Sequence, residues 1–251
     1  MRAAPKYLTA RELLEANRLY YDSLWSGAVL VEPERFNTWP LVQSLLPRSG
    51  ACLEVAPGLR PRLPIDGTRF VELSRTAALK LRERGASVAM GLVTALPFSD
   101  EAFDLVAALD IVEHVDDDCA ALGEIARVAR PGAAVLVSVP LRAELWNAFD
   151  DFVGHRRRYE PGALIGLLAR HGLNIEHSAV YGMQPRSSRL LDAGIWFFEN
   201  QRERALWWYN RVFMPMGLKL QRKLAFAAGL AAAEQADEVL MVCRKGAVSE
   251  C

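Results

Sequence analysis

Three ionisable side chains could do chemistry directly after the apolar run Phe103–Leu109. Asp110 comes first, and Glu113 and His114 follow within four residues. An imidazole titrates near neutral pH, so His114 is a candidate general base, and Asp110 could orient a bound polar group. The alternative interpretation is that His114 only packs at the start of the next helix.

A second group of chemically capable side chains follows another apolar run, which ends at Pro140. It combines aromatic, acidic and basic types: Trp146, Asp150, His155, Arg157, Arg158 and Tyr159. His155 is a second candidate general base, and Arg158 offers a bidentate fork to an anionic group. Loops that follow strands often carry function. The alternative is a salt-bridged loop that holds the helix predicted over 161–171.

Apolar runs that alternate with helical patterns must position these side chains. The predicted strands lie at 51–56, 69–73, 87–90, 103–109, 133–139, 175–181 and 238–244. Helices are predicted between them, at 74–85, 117–129 and 161–171. This alternation favours an α/β fold with a mostly parallel, Rossmann-like sheet of seven strands and helices on both faces. The last strand follows another strand, so we expect it to be antiparallel.

The remaining segments predict additions to a single domain over 1–251. Residues 1–48 should form an N-terminal helical lid, with helices at 9–25, capped by Thr9, and at 33–46. The core then covers 49–183 and 236–246. Residues 184–235, rich in aromatic and basic side chains, predict an insertion of two or three helices. It could be a cap on the sheet, a lid over an apolar substrate, or a surface that touches a membrane.

Composition excludes several classes of protein. The 251 residues carry a formal net charge of zero, so no binding to nucleic acid is expected. The four cysteines are far apart and have no metal-ligand spacing, so no metal is predicted. The N-terminus has no signal-peptide pattern, and no apolar stretch is long enough to span a bilayer. We therefore expect a cytoplasmic protein.

One long segment carries a family resemblance. The run ALPFSDEAFDLVAALDIVEHVDDDCAALGEIARVARPGAAVLVSVP at 95–140 resembles the class I S-adenosylmethionine-dependent methyltransferases, particularly the small-molecule, quinone-biosynthesis-like enzymes. It looks like that family's series of Leu-Pro-Phe, Phe-Asp, an acid at a strand end, His-Val and Arg-Val-x-x-Pro-Gly. The match runs from about Cys52 to Leu173. It implies methyl transfer from S-adenosylmethionine to an O, N or C nucleophile of a small molecule, with S-adenosylhomocysteine as product.

The resemblance also implies which residues do the work. The cofactor-binding residues would be Glu54, Ala56, Gly58, Glu72, Leu73, Thr94, Ala95, Leu96, Asp110 and Ile111. In the family an acid at the position of Glu72 accepts hydrogen bonds from the ribose diol. On the acceptor side we expect His114 and His155 as catalytic residues. The substrate-binding candidates are Tyr20, Tyr21, Trp146, Asp150, Arg158 and Tyr159.

The chain departs from the family's pattern at three positions. Ala56 and Arg60 stand where the family usually has glycines, and Leu92 stands where it has an acid aimed at adenine. Arg60 would fit only if its side chain points away from the cofactor. These departures favour one alternative, a degenerate, non-catalytic binding or partner protein. A weaker alternative is a nicotinamide-dependent oxidoreductase, because an acid ending the second strand also suits a nicotinamide ribose.

Overall fold

The computed structural model describes residues 10–182, 188–230 and 236–246. Within them, one sheet holds eight strands in the order β3-β2-β1-β4-β5-β8-β6-β7. The strands are β1 Cys52–Val55, β2 Thr68–Glu72, β3 Ser87–Met90, β4 Phe103–Leu109, β5 Ala129–Pro140, β6 Leu173–Val180, β7 Ala227–Ala228 and β8 Glu238–Lys245. The predicted α/β fold is confirmed. The eighth strand is β7, a two-residue strand that pairs with β6 and was not predicted.

The strand order fixes where a ligand would bind. Strands β1 to β5 run parallel to one another, whereas β8 runs antiparallel to both β5 and β6, as expected. The chain leaves β1 toward β2 on one side and returns to β4 on the other. In open α/β sheets, ligands bind beyond the carboxyl ends of the strands at such a switch point. We call this edge of the sheet, beyond β1, β2 and β4, the carboxyl edge.

The central strands form the core because they are apolar on both faces. Leu53, Val106, Val135 and Met241 are each fully buried. Burying such a side chain stabilises the fold by about 1.5–3 kcal/mol relative to leaving it exposed. The sheet therefore provides a rigid base for the polar residues at its carboxyl edge.

Nine helices in the described residues cover the sheet and its edge. They are α1 Ala10–Ser26, α2 Trp39–Leu45, α3 Arg75–Glu83, α4 Asp118–Val128, α5 Ala148–Val153, α6 Pro161–Arg170, α7 Ser188–Asn200, α8 Arg202–Trp208 and α9 Met214–Lys219. Ser74 caps α3 by accepting a hydrogen bond from the amide of Ala77, as the sequence predicted. The predicted cap of α1, Thr9, lies outside the described residues.

Two sequence predictions of local structure were wrong. The single helix predicted over 33–46 is a 3₁₀ turn at Pro33–Arg35 followed by α2. Pro40 explains the break, because a proline lacks an N–H and favours the first turn of a new helix. The loop predicted around 146–159 contains α5, which begins with a capping box between Asn147 and Asp150.

The insertion consists of α7 and α8, a π-helical segment at Tyr209–Phe213, and α9. The predicted two or three helices are therefore present. The insertion packs against the segment that follows α1, where Asn210 bonds the amide of Val29 and the carbonyl of Gly27. None of the described helices is both long enough and apolar enough to cross a membrane.

Candidate functional site

The turn after β1 adopts a conformation that suits a close neighbour. Ala56 and Gly58 both have positive φ, at 53° and 55°. A Cβ on Gly58 would lie 2.2 Å from the Trp25 indole, so only glycine permits this contact. The neighbour in this structure is therefore an aromatic side chain of α1, and it lies where the resemblance places the cofactor.

Glu72 ends β2 beside this turn, and its carboxylate is buried. It accepts hydrogen bonds from the amides of Gly58, at 2.9 Å, and Ser74, at 2.8 Å. Burial raises the pKa of Glu72 to about 7, against the lowering effect of these bonds. Because a carboxylate oxygen has two lone pairs, each oxygen can accept one further donor, as a ribose diol would require.

Glu54, the last acid of β1, binds the chain itself. Its carboxylate accepts hydrogen bonds from the amides of Arg62 and Leu63, each at 2.9 Å. Burial raises the pKa of Glu54 to about 7. The residue thus holds the loop after the glycine turn, and its predicted contact with the cofactor stays a prediction.

Arg60 bonds backbone carbonyls of its own chain. Its guanidinium donates to the carbonyls of Val29, at 2.6 Å, and Leu59, at 2.8 Å. It also lies 5.7 Å from the ring centres of both Trp25 and Tyr209. Arg60 is thus held by groups of its own chain, and its tolerance beside a bound cofactor stays a prediction.

The segment before Pro97 offers mainly backbone groups. Ala95 donates its amide to the carbonyl of Leu92 at 3.1 Å, which closes a tight turn. The amide of Leu96 is already used, because it donates to the Glu124 carboxylate at 2.7 Å. Thr94 is half-buried, and the position of Leu92 supplies no acid. Leu73, predicted for the same site, is half-buried next to Glu72.

At the end of β4, Asp110 has a strained backbone with φ of 53°. Its amide bonds the carbonyl and hydroxyl of Ser138, and that hydroxyl donates to the Asp110 carboxylate. The adjacent Ile111 is half-buried against the core. The backbone strain is thus held by a neighbouring strand, which fixes the Asp110 carboxylate at the carboxyl edge.

Three residues that the sequence analysis missed surround Asp110. Burial and the neighbouring Asp110 raise the pKa of Glu238 well above its ordinary range. The Arg62 guanidinium donates to the Tyr181 hydroxyl at 3.1 Å and lies 3.6 Å from the centre of the Phe36 ring. Glu238 could have been found, because the first residue of an antiparallel last strand lies at the carboxyl edge. Nothing in the local sequence marks Arg62 or Tyr181.

The two candidate bases lie together. The ring centres of His114 and His155 are 4.8 Å apart. His155 Nδ1 lies 2.7 Å from the Asp150 carboxylate, and His155 Nε2 lies 3.8 Å from Oε1 of the buried Glu113. His114 Nδ1 is 3.3 Å from the Tyr21 hydroxyl. Burial and the neighbouring His155 lower the pKa of His114 to about 3, which keeps its imidazole neutral.

The predicted substrate-binding residues of 146–159 mostly bind one another. Asp150 is fully buried and receives two hydrogen bonds from Arg158, each at 2.9 Å. Although burial opposes it, the bonds from His155 and Arg158 hold the pKa of Asp150 below its ordinary value. The Tyr159 hydroxyl donates to the Asp118 carboxylate at 3.0 Å, and the Trp146 indole N–H donates to the Asp151 carboxylate at 3.2 Å. These contacts agree with the salt-bridged loop, and a substrate role stays a prediction.

Helix α1 lies across the carboxyl edge. Its Asp22 accepts hydrogen bonds from the Ser74 hydroxyl at 2.7 Å and the amide of Thr76 at 3.0 Å, at the start of α3. Tyr20 is buried, and burial raises its pKa to about 12. Tyr21, half-buried, reaches His114. One helix thus contacts both the glycine turn and the histidine pair.

Sequence comparison finds methyltransferases that match part of this chain. A family model described as a methyltransferase domain matches residues 68–137, from β2 into β5. A demethylmenaquinone methyltransferase of Roseiflexus sp. (strain RS-1) is 38% identical over 90 residues, which cover 33% of this chain and 38% of that protein. An uncharacterized methyltransferase of Schizosaccharomyces pombe is 27% identical over 161 residues, 58% of this chain and 52% of that protein. The matched segments thus span about half the length of the yeast relative and less than half the length of the Roseiflexus relative.

Structural comparison supports the same fold over nearly the whole chain. A methyltransferase of Thermotoga maritima, described as a possible histamine N-methyltransferase, has a TM-score of 0.56 at 19% identity. The alignment covers 94% of this chain and 93% of that protein. A protein described as the [4+2]-cyclase SpnF has a TM-score of 0.61 at 17% identity, with 98% and 99% covered. At such identities these likenesses concern the fold.

Proposed function

We propose that the chain is a class I S-adenosylmethionine-dependent methyltransferase and that it transfers a methyl group from S-adenosylmethionine to an O, N or C nucleophile of a small molecule. The observation that carries the proposal is the buried Glu72 at the end of β2, bonded to the amide of Gly58. S-adenosylmethionine supplies a methyl group activated by a sulfonium, and S-adenosylhomocysteine is the product.

The residues at the carboxyl edge fit this cofactor. Glu72 would accept the two ribose hydroxyls, and Gly58 lets a ligand approach the backbone. The adenine would meet the backbone at Thr94, because the amides of Ala95 and Leu96 are taken by the Leu92 carbonyl and by Glu124. Asp110 would orient the methionine end. Arg60 bonds the carbonyl of Val29 and lies beside Trp25, so it would border this space.

Trp25 must move before the cofactor can bind. Its indole occupies the space into which a Cβ on Gly58 would project, beside the turn that the cofactor would contact. Helix α1 is attached to α3 near this point, through Asp22 and through Lys80, whose ammonium donates to the carbonyls of Trp25 and Ser26 at 2.8 Å. We therefore expect the indole to rotate out while the helix stays docked, so that α1 closes over the bound cofactor.

On the acceptor side, His114 and His155 are the groups that could take up a proton. A hydrogen bond from His155 Nδ1 to Asp150 would leave the lone pair of Nε2 toward the cluster. The pKa of His114 is too low for it to be an effective base at neutral pH. We therefore assign proton removal to His155, and positioning to His114 and Tyr21.

The surface of the insertion supports a proposal for the acceptor class. Helices α7–α9 leave aromatic and aliphatic side chains in solvent beside exposed cations, and an open cleft between α7 and α8 is lined by Phe197, Arg204, Trp207 and Trp208. Apolar side chains with a cationic rim suit a substrate that has an apolar body and an anionic group. An acceptor of that kind would be drawn from a membrane surface, and the demethylmenaquinone relative acts, by its name, on an apolar quinone.

A second function is favoured by one observation. Trp25 fills the space above Gly58, and Ala56, Arg60 and Leu92 depart from the family pattern. These features would also suit a binding or partner protein that keeps the fold without methyl transfer. The neighbour described as a [4+2]-cyclase has this fold under a name that is not a methyltransferase's. Fold alone does not decide between the two functions.

Calorimetry separates these functions. We would titrate the purified chain with S-adenosylmethionine, S-adenosylhomocysteine and, for the oxidoreductase alternative, NADH. Micromolar binding of the first two and none of NADH is the expected result. If the folded protein binds neither adenosyl compound at millimolar concentration, the partner-protein function replaces methyl transfer. Binding of NADH alone would support the oxidoreductase.

A further inference from the structure

Three side chains near the end of β4 form a cluster that includes the proposed base, His155. They are Glu113, His114 and His155, and one potential ligand atom from each lies within 4.8 Å of the other two. Glu113 and His114 lie on a 3₁₀ turn after β4, whereas His155 follows α5. The fold thus brings two imidazoles and one carboxylate together from segments about 40 residues apart in the sequence.

Glu113 is buried with an unsatisfied oxygen. Its side chain is 1% exposed, and Oε2 has no hydrogen-bond partner among the described residues. Its other oxygen, Oε1, lies 3.8 Å from His155 Nε2, too far for a hydrogen bond. A buried carboxylate is expected to be paired or to coordinate a metal, so this geometry calls for a partner between the two groups.

The environment of His155 is that of a metal ligand. Its Nδ1 lies 2.7 Å from the fully buried Asp150 carboxylate, which itself is fixed by Arg158. This carboxylate–histidine arrangement fixes the tautomer, orients the ring and turns the Nε2 lone pair toward a ligand position. His114 Nδ1 lies 3.3 Å from the Tyr21 hydroxyl. Each imidazole therefore has one nitrogen held by a neighbouring side chain, and Nε2 is the nitrogen that would bind an ion.

We propose that Glu113, His114 and His155 form a binding site for one divalent first-row transition metal, with zinc as the first candidate. Two imidazoles and a carboxylate suit zinc or iron(II), and three protein ligands leave at least one coordination position open. Glu113 Oε1 and His155 Nε2 are 3.8 Å apart, so an ion between them could bind both atoms at about 2 Å after only small side-chain movements. The sequence predicted no metal, because no cysteine or histidine spacing marks this site.

The site bears on the proposed function without depending on it. A nitrogen that binds a metal cannot also accept a proton, so His155 would not act as the base in the metal-loaded protein. An acceptor hydroxyl at the open position would instead lose its proton to solvent more readily, because the bound cation lowers its pKa. Metal binding is measured on the protein itself, and it can succeed or fail whether or not methyl transfer is found.

The experiment is a zinc titration of tag-free, chelator-treated protein, with bound metal counted by mass spectrometry after dialysis. The chain offers a matched control, because its other two histidines, His171 and His177, lie outside the cluster. We expect one zinc per chain in the wild type and in the control carrying His171→Gln and His177→Gln. Glu113→Gln and His155→Gln should lose the ion, and Asp150→Asn should bind it about 10–100-fold more weakly.

Two further measurements keep the test decisive if a buried variant fails to fold. His114→Gln changes a half-buried side chain and should also weaken zinc binding. Cobalt(II) bound to the wild type should give the visible absorption of a low-symmetry site with nitrogen ligands. The proposal is overturned if folded wild type binds neither ion at micromolar concentration, or if the control variant loses the ion while His114→Gln and His155→Gln keep it.

Discussion

The carboxyl edge and the helical insertion show opposite relations between side-chain type and burial. At the edge, charged groups such as Glu54, Glu72 and Asp150 are buried, and each is held by donors of the same chain. In the insertion, apolar groups such as Trp196 and Leu220 are 58% and 72% exposed. Buried charge with internal partners indicates a preorganised site, whereas exposed apolar surface indicates a partner outside the chain.

Of the substitutions at the carboxyl edge, Asp150→Ala should lower the free energy of unfolding most. The substitution leaves the buried Arg158 guanidinium without its carboxylate, and removing one member of a buried ion pair costs about 3–5 kcal/mol. Urea denaturation would measure this loss of unfolding free energy. The neighbouring Asp151→Ala is the control, because Asp151 is exposed. Equal stability of the two variants would show that the edge is not held by this network.

The edge should also make stability depend on pH through Glu54. Its folded pKa of about 7 exceeds the ordinary value of 4.5, so between these pH values the folded state binds more protons than the unfolded chain. The free energy of unfolding that Glu54 contributes is fully present below pH 4.5 and is lost as pH rises to about 7. The loss is about 1.4 kcal/mol per pH unit and roughly 3 kcal/mol in all. Arg62 and Glu72 are its charged neighbours.

The comparison of wild type with Glu54→Gln isolates this group. His114 acts in the opposite direction below pH 6.5, because its folded pKa is lowered, and it contributes equally to both proteins. Urea denaturation at pH 5, 6, 7 and 8 should show the wild type losing stability relative to the variant as pH rises. A constant difference between the two proteins would mean that Glu54 ionises at its ordinary pH.

Glu72→Ala should weaken cofactor binding by about 1–3 kcal/mol, because it removes a charged acceptor from the ribose hydroxyls. Calorimetry with S-adenosylhomocysteine measures the change. Glu83→Ala is the matched control, since Glu83 is an exposed acid on α3. Unchanged affinity in Glu72→Ala would remove Glu72 from the cofactor site and leave it as a tie between β2 and the glycine turn.

The same contrast explains how much could be predicted. The strands, the acids at their ends and the antiparallel last strand follow from local patterns of apolar residues, so the fold and the place of Glu72 at the end of β2 could be predicted. The role of Glu72 toward a cofactor was implied by the resemblance and stays a prediction. The pairing of Arg62 with Tyr181 joins residues 119 positions apart, and no local pattern encodes it. The break at Pro40 and helix α5 were misjudged because short helices depend on capping more than on periodicity.

The insertion resists prediction for a different reason. Seven large apolar side chains of its described residues are exposed: Leu190, Trp196, Trp207, Trp208, Phe213, Met216 and Leu220. Periodicity identifies a core-facing stripe only when the core lies in the same chain. Here much of the apolar surface faces outward, so the sequence correctly indicated helices and left their partner open among cap, lid and membrane surface.

Vesicle binding would sharpen this half of the comparison. Exposed aromatic side chains beside Arg204, Arg211 and Lys219 should favour vesicles that contain anionic lipid. Replacing Trp207 and Trp208 with alanine should weaken co-sedimentation with such vesicles by roughly 1–2 kcal/mol, in proportion to the apolar area removed. The control carries Leu79→Ala and Met90→Ala, which remove exposed apolar side chains outside the insertion. Equal binding of all three proteins would argue against this surface.

Arg60 connects the two regions, because its guanidinium lies 5.7 Å from Trp25 of the lid and 5.7 Å from Tyr209 of the insertion. Arg60 is half-buried, and a cation–π contact contributes about 0.5–2 kcal/mol depending on its burial, so Arg60→Gly should change affinity for S-adenosylhomocysteine by less than about 2 kcal/mol. It should nevertheless increase hydrogen exchange in α1 and around Tyr209, whereas Arg75→Gly, at an exposed arginine, should not. A much larger loss of affinity would mean that this guanidinium binds the cofactor. The two regions would then form one site, and the contrast between them would be wrong.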